Sequence, residues 1–249
     1  MTQLTDEQLI EFLDLTRGAD SVELKLTVGL SEQRAAVEAL GIDPLGAQVR
    51  LVHFFDTPEL ALQEAGVVVR ARRVAGKGDD TVVKLRPVVP DQMPASLREV
   101  PSFVVEVDAA PGGYVCSGSY KGIPRKATVQ DVVQGAEPLR RLFSKEQKGF
   151  YAAHAPDGLA LDDLTELGPL FVLKMKGAPE GMDRRMVIEL WLYPDGSRIL
   201  ELSTKCAPGD ALQVAGETRA FLAERGVDLE SEQQTKTRTA LEFFTAQPV

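Results

Sequence analysis

The feature that most constrains this fold is an alternation of charged and apolar residues with a period of two. Successive side chains of a β-strand point to opposite faces, so a strand with this alternation has one charged face and one apolar face. In segment 21–28, for example, Glu23 and Lys25 share one face, and Val22, Leu24 and Leu26 share the other. We predict strands at about 21–28, 49–56, 67–74, 80–88, 102–109, 171–177, 185–193 and 198–205.

Apolar residues at helical spacing, often preceded by capping residues, predict amphipathic helices around these strands. The stretch 111–169 begins with Pro111-Gly112-Gly113 and shows no convincing strand pattern, so we interpret it as a helical insertion between strands five and six. With no internal repeat and no low-complexity linker, residues 1–249 are predicted to form a single α+β domain. The predicted helices lie at about 5–15, 31–40, 58–65, 128–153, 209–225 and 232–245.

The charged strand faces allow two arrangements. A sheet with one wet face produces this pattern in any single strand. The amphipathic helices, however, also need apolar surface to cover, and the apolar strand faces are the only such surfaces that the pattern offers. If the helices pack on them, the charged faces must point at one another. The sequence therefore favours an eight-stranded antiparallel β-barrel with a charged interior, surrounded by helices.

The charged faces carry more basic than acidic side chains, although the whole chain has a net charge of −9. Charges inside a barrel are costly unless they are paired or bound to something. Arginine and lysine suit phosphate oxygens, and clustered carboxylates suit a hard cation such as Mg²⁺ or Mn²⁺. The interior thus predicts a site for a small polyanion and a metal. Its basic residues are Lys25, Arg70, Arg72, Lys84, Arg86, Lys174, Lys176 and Lys205, and its acidic residues are Glu23, Glu106, Asp108, Glu189 and Glu201.

Composition argues against several other functions. The negative net charge disfavours binding to nucleic acid or to a membrane surface. No run reaches the length of a membrane span, and residues 1–20 mix acids with isolated apolar residues, so we expect a cytoplasmic protein without a signal peptide. Cys116, Cys206, His53 and His154 are too few for a zinc site of sulfur and imidazole, and the cysteines are expected to be buried rather than bridged. The oligomeric state stays open, with a homodimer as one option.

Several short motifs, in order along the chain, resemble those of CYTH-domain proteins of the triphosphate tunnel metalloenzyme superfamily. Residues 21–25 (SVELK) are similar to the family's Glu-x-Glu-x-Lys strand, and residues 53–60 (HFFDTPEL) to its Tyr-Phe-Asp-Thr segment. Residues 66–72 (GVVVRAR) resemble its Gly-x-x-Leu-Arg-x-Arg strand. The segments 81–85, 105–108 and 236–242 complete the resemblance, which spans most of the chain.

This resemblance implies a tunnel fold and metal-dependent hydrolysis of inorganic tripolyphosphate or an organic triphosphate. By matching position, Glu23 and Glu201 are implied metal ligands, with Glu106, Asp108 and Glu189 as further candidates. Glu23, Lys25 and Glu201 are the implied catalytic residues, with either glutamate orienting the attacking water. The implied phosphate ligands are Lys25, Arg70, Arg72, Lys84, Lys174 and Lys176, and the charged-face argument adds Arg86 and Lys205.

The sequence departs from the family pattern at two positions. Ser21 replaces the first glutamate of the opening motif, and Ser203 stands where the closing strand usually has a second acid. Fewer carboxylates should weaken metal binding, so a weakly catalytic or non-catalytic phosphoanion-binding protein is an alternative. A second alternative is a class IV-type adenylate cyclase, although no base-recognition motif is evident.

Overall fold

A computed structural model describes residues 5–125, 127–229, 233 and 235–246. Nine strands of this part of the chain close into one barrel in the spatial order β1-β5-β6-β4-β3-β2-β7-β8-β9. The strands are β1 (Ser21–Val28), β2 (Gln48–Asp56), β3 (Val67–Val74), β4 (Asp80–Leu85), β5 (Phe103–Ala110), β6 (Gly113–Gly122), β7 (Thr165–Gly177), β8 (Met186–Leu192) and β9 (Arg198–Cys206). The helices are α1 (Asp6–Arg17), α2 (Gln33–Ala39), α3 (Ala61–Glu64), α4 (Ala95–Arg98), α5 (Val129–Val133), α6 (Lys145–Ala152), α7 (Ala211–Glu224) and α8 (Lys236–Ala246).

The prediction of a closed barrel is confirmed, but the prediction that it has eight antiparallel strands is wrong. The ninth strand, β6, lies between β5 and β4 and within the stretch 111–169 that we interpreted as helical. The charge pattern did not reveal it because its inward face carries Ser117 and Ser119, and its one inward charge, Lys121, comes near the end of the strand. The barrel is also mixed, since β1 pairs with β5 in parallel, with Glu23 opposite Asp108.

The helical segment between β6 and β7 is shorter than predicted. It occupies residues 123–164, since β6 ends at Gly122 and β7 begins at Thr165. The single helix predicted at 128–153 is also wrong, because the segment holds α5 and α6 with a turn between them. Gly135 has a positive φ of 74°, which a glycine adopts without strain, and Ser144 caps the start of α6.

Apolar strand faces meet helices on the outside of the barrel, as the sequence predicted. Val105 and Val107 of β5 are fully buried in a cluster that includes Phe12 of α1. Farther around the barrel, Ile188 of β8 joins Leu222 of α7 in a second cluster. Each such buried side chain contributes roughly 1.5–3 kcal/mol, so this burial forces the charged faces inward. None of the described helices is long and apolar enough to cross a bilayer.

A third apolar cluster lies at one end of the barrel, under α8. Ala240 and Leu241 of α8 are buried with Val52, Trp191 and Ile199, whose side chains face the barrel interior. The last helix therefore packs over inward-facing residues and brings its first residue, Lys236, into the interior. Cys116 and Cys206 are free and buried, as expected from the sequence.

Candidate phosphate and metal site

A polar cavity of about 880 Å³ occupies the interior of the barrel. Every charged side chain that the sequence placed on these strand faces lines it. Those residues are Glu23, Lys25, Arg70, Arg72, Lys84, Arg86, Glu106, Asp108, Lys174, Lys176, Glu189, Glu201 and Lys205.

Three carboxylates converge on one wall of the cavity. Glu23 and Asp108 are opposite each other in the parallel β1–β5 pair, and Glu106 shares a strand face with Asp108. Ligand oxygens of the three side chains lie within 4.8 Å of one another, and we call this group the acidic cluster. Its all-oxygen donor set fits a hard divalent cation such as Mg²⁺ or Mn²⁺.

Asp108 is surrounded by three cations. Lys25 Nζ lies 2.8 Å and Lys84 Nζ 3.6 Å from its carboxylate oxygens, and Arg86 donates a hydrogen bond to it. Burial alone would raise the pKa of Asp108, but the charges of Lys84, Lys25 and Arg86 hold this pKa well below its usual range. The Asp108 carboxylate is thus kept ionised.

Lys84 is itself strongly affected by this environment. Burial lowers the pKa of Lys84 to about 8, because the attraction of Asp108 compensates only in part and Arg86 repels the charge. The Lys84 side chain therefore changes charge within the pH range in which many enzymes work, and this change of charge can be measured.

The other two predicted metal ligands are not in the acidic cluster. Glu189 and Glu201 face each other across the β8–β9 pair, an arrangement of like charges that is unfavourable by itself. Lys236 lies between them, with Nζ 2.6 Å from Glu189 and 2.7 Å from Glu201. Lys174 adds a second contact to Glu189 at 2.7 Å. Both carboxylates are thus paired with lysine.

Sequence reasoning gave no role to Lys236. A lysine in the first turn of a helix opposes the helix dipole, and this mismatch is the signal that could have drawn attention to it. Arg50 of β2 was also missed, although it faces the cavity and alternates with Val49 and Leu51 in the sequence. Its side chain donates a hydrogen bond of 2.8 Å to Gln48.

Arg70 differs from the other buried cations. No described residue forms an ion pair with it, and its Nε atom is buried without a hydrogen-bond partner. Burial, reinforced by the positive charge of Arg72, lowers the pKa of Arg70 to about 9. Arg72 itself is paired with Asp80 at 2.8 Å. A buried guanidinium without an anion is unfavourable, and a phosphate group is the natural partner for it.

The two serines that replace acids contact the remaining acids. Ser21 Oγ donates a hydrogen bond of 3.0 Å to Glu106, and Ser203 Oγ donates one of 3.1 Å to Glu23. The serines orient the acidic cluster but add no charge to it.

Solved structures with the same architecture include two proteins described as adenylate cyclases. One is a proposed adenylyl cyclase from Hippeastrum, described as revealing a dominant triphosphatase activity, with a TM-score of 0.63 and 17% identity over 88% of this chain and 93% of the other. The second, a proposed adenylate cyclase from Bacillus halodurans, has a TM-score of 0.60 and 13% identity over 88% of this chain and 97% of the other. No protein-family model and no curated protein sequence matches this chain. These identities establish a shared fold and leave the activity to be argued from the site.

Proposed function

From the tunnel fold that this chain shares with CYTH-type adenylate cyclase and triphosphatase structures, we propose that it hydrolyses a linear triphosphate with the help of a divalent metal. One observation carries the proposal: the cavity of the closed barrel holds the acidic cluster and also Arg70, whose buried Nε has no hydrogen-bond partner among the described residues. The first group suits a hard cation, and the second suits a phosphate oxygen.

In this proposal the cations of the cavity hold the phosphate chain in an extended position. The planar guanidinium of Arg70 donates paired hydrogen bonds to phosphate oxygens. The ammonium groups of Lys25 and Lys84 bind phosphate as compact positive charges beside the acidic cluster. Catalysis then comes mainly from positioning and from stabilising negative charge. Glu23, Glu106 and Asp108 are the residues that would hold the metal, which supplies Lewis-acid stabilisation of charge on the phosphate oxygens.

Glu23 is the better candidate for orienting the attacking water. It lies in the acidic cluster, and its nearest cation, Lys25, is 3.4 Å away. Glu201 is held at 2.7 Å by Lys236, so its carboxylate is already committed to an ion pair. We therefore propose a structural role for Glu201.

The substrate that fits best carries no nucleobase. Tyr114 and Trp191 are the aromatic residues, among those described, that line the cavity. The Tyr114 hydroxyl donates a hydrogen bond to Glu11 at 2.7 Å, and Lys236 Nζ lies 4.8 Å above the Trp191 ring. The Trp191 ring is also only 4% exposed, and the Tyr114 ring packs against Phe12 with ring centroids 5.3 Å apart. Both rings thus already have partners within the chain, which favours inorganic tripolyphosphate over a nucleotide and hydrolysis over cyclisation.

The replacement Lys84→Ala tests the proposal through turnover. We expect phosphate release from tripolyphosphate to fall at least about tenfold, because a buried phosphate ligand is lost. In the unaltered protein the affinity for tripolyphosphate should fall as the pH rises past about 8, where Lys84 loses its proton, and Lys84→Arg should remove this fall. The exposed Lys77→Ala, outside the cavity, is the matched control. Unchanged turnover in Lys84→Ala would contradict the proposed role.

Ser21 and Ser203 favour one alternative, a phosphoanion-binding protein with little turnover. The replacement Ser21→Glu restores a carboxylate beside Glu106 and should raise the affinity for Mn²⁺ about tenfold, as measured by titration calorimetry. It should also cost roughly 1 kcal/mol of stability without metal, because like charges become neighbours. Ser21→Gln controls for size. A large gain in turnover would support the alternative, and unchanged Mn²⁺ affinity would show that position 21 does not reach the metal.

A further inference from the structure

A second basic cavity lies outside the barrel, where β4 and β6 meet the segment between β6 and β7. It has a volume of about 1110 Å³, and we call it the outer cleft. Arg72, Val82 and Lys121 line both the outer cleft and the barrel cavity, so the two spaces adjoin at these residues. The two cavities therefore share part of one wall, and that wall carries the cations Arg72 and Lys121.

The outer cleft is strongly positive, in contrast to the whole chain. Lys121, Arg125, Lys145 and Lys148 line it, and none of them forms an ion pair with any residue that the structure describes. The acidic residues of its lining are Asp80, which is paired with Arg72, and Glu146. Unpaired cations in a concave surface attract a polyanion and act together on it.

The wall that carries Lys145 and Lys148 is fixed to the barrel. Gln147, which lies between them on α6, is 1% exposed. Its side-chain amide donates hydrogen bonds of 3.1 Å to the Tyr120 carbonyl of β6 and 3.2 Å to the Thr81 hydroxyl of β4. A Cβ at Gly122 would lie 2.3 Å from the Gln147 side chain, so any larger residue there would force Gln147 away from these hydrogen bonds. The outer cleft is therefore preformed.

We propose that the outer cleft binds the distal part of a linear inorganic polyphosphate whose end lies in the barrel. This inference rests on the proposed function and extends its substrate class from tripolyphosphate to longer chains. A polyphosphate chain repeats the same charged group along its length, so the cations of barrel and outer cleft form one continuous path for it. An acidic protein segment also has the charge but lacks the phosphate end that the barrel would hold.

The test compares the affinities of two ligands, tripolyphosphate and a polyphosphate long enough to reach both spaces, by calorimetry at fixed ionic strength. The unaltered protein should bind the longer chain more tightly. Lys145→Ala/Lys148→Ala should weaken binding of the longer chain about fivefold and leave tripolyphosphate unchanged. Arg17→Ala/Arg34→Ala removes two exposed charges outside both cavities and serves as the matched control.

Each outcome separates this inference from the proposed function. Equal affinity for the two ligands, or equal losses in the test and control variants, would overturn the outer-cleft proposal alone. Displacement of the long chain by polyglutamate at equal charge would assign the outer cleft to acidic proteins and also overturn it. Failure of the unaltered protein to bind tripolyphosphate would contradict the proposed function. The outer-cleft proposal, which rests on it, would then also be wrong.

Discussion

Replacement of Arg70 by alanine is expected to lower the affinity for tripolyphosphate about a hundredfold, or about 2.7 kcal/mol, without lowering the stability of the free protein. The Nε atom of Arg70 is buried and has no hydrogen-bond partner among the described residues. Removing the guanidinium takes away a phosphate ligand and, in the free protein, an unfavourable buried charge. A residue that is kept at a cost to stability is typical of a functional site.

The Arg70 experiment needs both a binding and a stability measurement. Calorimetry gives the dissociation constant, and urea unfolding gives the free energy of unfolding. Arg73→Ala is the matched control, because Arg73 lies on the same strand outside the lining of the cavity. A loss of several kcal/mol of stability in Arg70→Ala would show that the guanidinium has a structural partner, and unchanged affinity would remove it from the phosphate site.

The replacement Lys236→Met is expected to destabilise the protein by about 3 kcal/mol. Lys236 bridges Glu189 and Glu201 at 2.6 and 2.7 Å, and these carboxylates are opposite each other in the sheet. Without the ammonium group, two largely buried negative charges repel each other, and the ion pairs of Lys174 and Arg50 compensate Glu189 alone. We expect α8 to pack less tightly on the end of the barrel, because its first residue loses both contacts.

Urea unfolding measures this loss of stability. Two further variants test whether it comes from the contacts of Lys236 with the two glutamates. Arg238→Met, on the same helix, removes only an exposed ion pair with Glu242 and should change stability by less than about 0.5 kcal/mol. Adding Glu189→Gln and Glu201→Gln to Lys236→Met should recover much of the lost stability, because the repelling charges are gone. Equal effects of Lys236→Met and Arg238→Met would contradict the central position that the structure gives to Lys236.

The charged interior could be predicted from the sequence because it follows from local patterning. A period of two assigns each side chain to a face, and the need of the helices for apolar partners decides which face points outward. Lys25, Arg70 and Asp108 were therefore placed in the cavity without knowledge of the strand order. The folded structure bears out that reasoning at every predicted position.

Features that depend on strand order could not be predicted in this way. β6 carries a single charge on its inward face, Lys121 at its end, after Ser117 and Ser119, so the alternation of charged and apolar residues gave only a weak signal for it. The parallel pairing of β1 with β5 is a contact between distant segments, and it brings Glu23 to Asp108. Likewise, Lys236 reaches Glu189 only because α8 returns to the end of the barrel, and this pairing divides the predicted metal ligands into two groups.

The central claim is that this cavity hydrolyses a linear triphosphate, and phosphate release from tripolyphosphate tests it most directly. The purified protein is treated with a chelator and then assayed with added Mg²⁺ or Mn²⁺, with ATP in parallel tubes analysed for cyclic AMP. We predict phosphate release from tripolyphosphate that requires the added metal, and no cyclic AMP from ATP. Tight binding of tripolyphosphate with no release in either metal would contradict the claim and identify the cavity as an anion receptor.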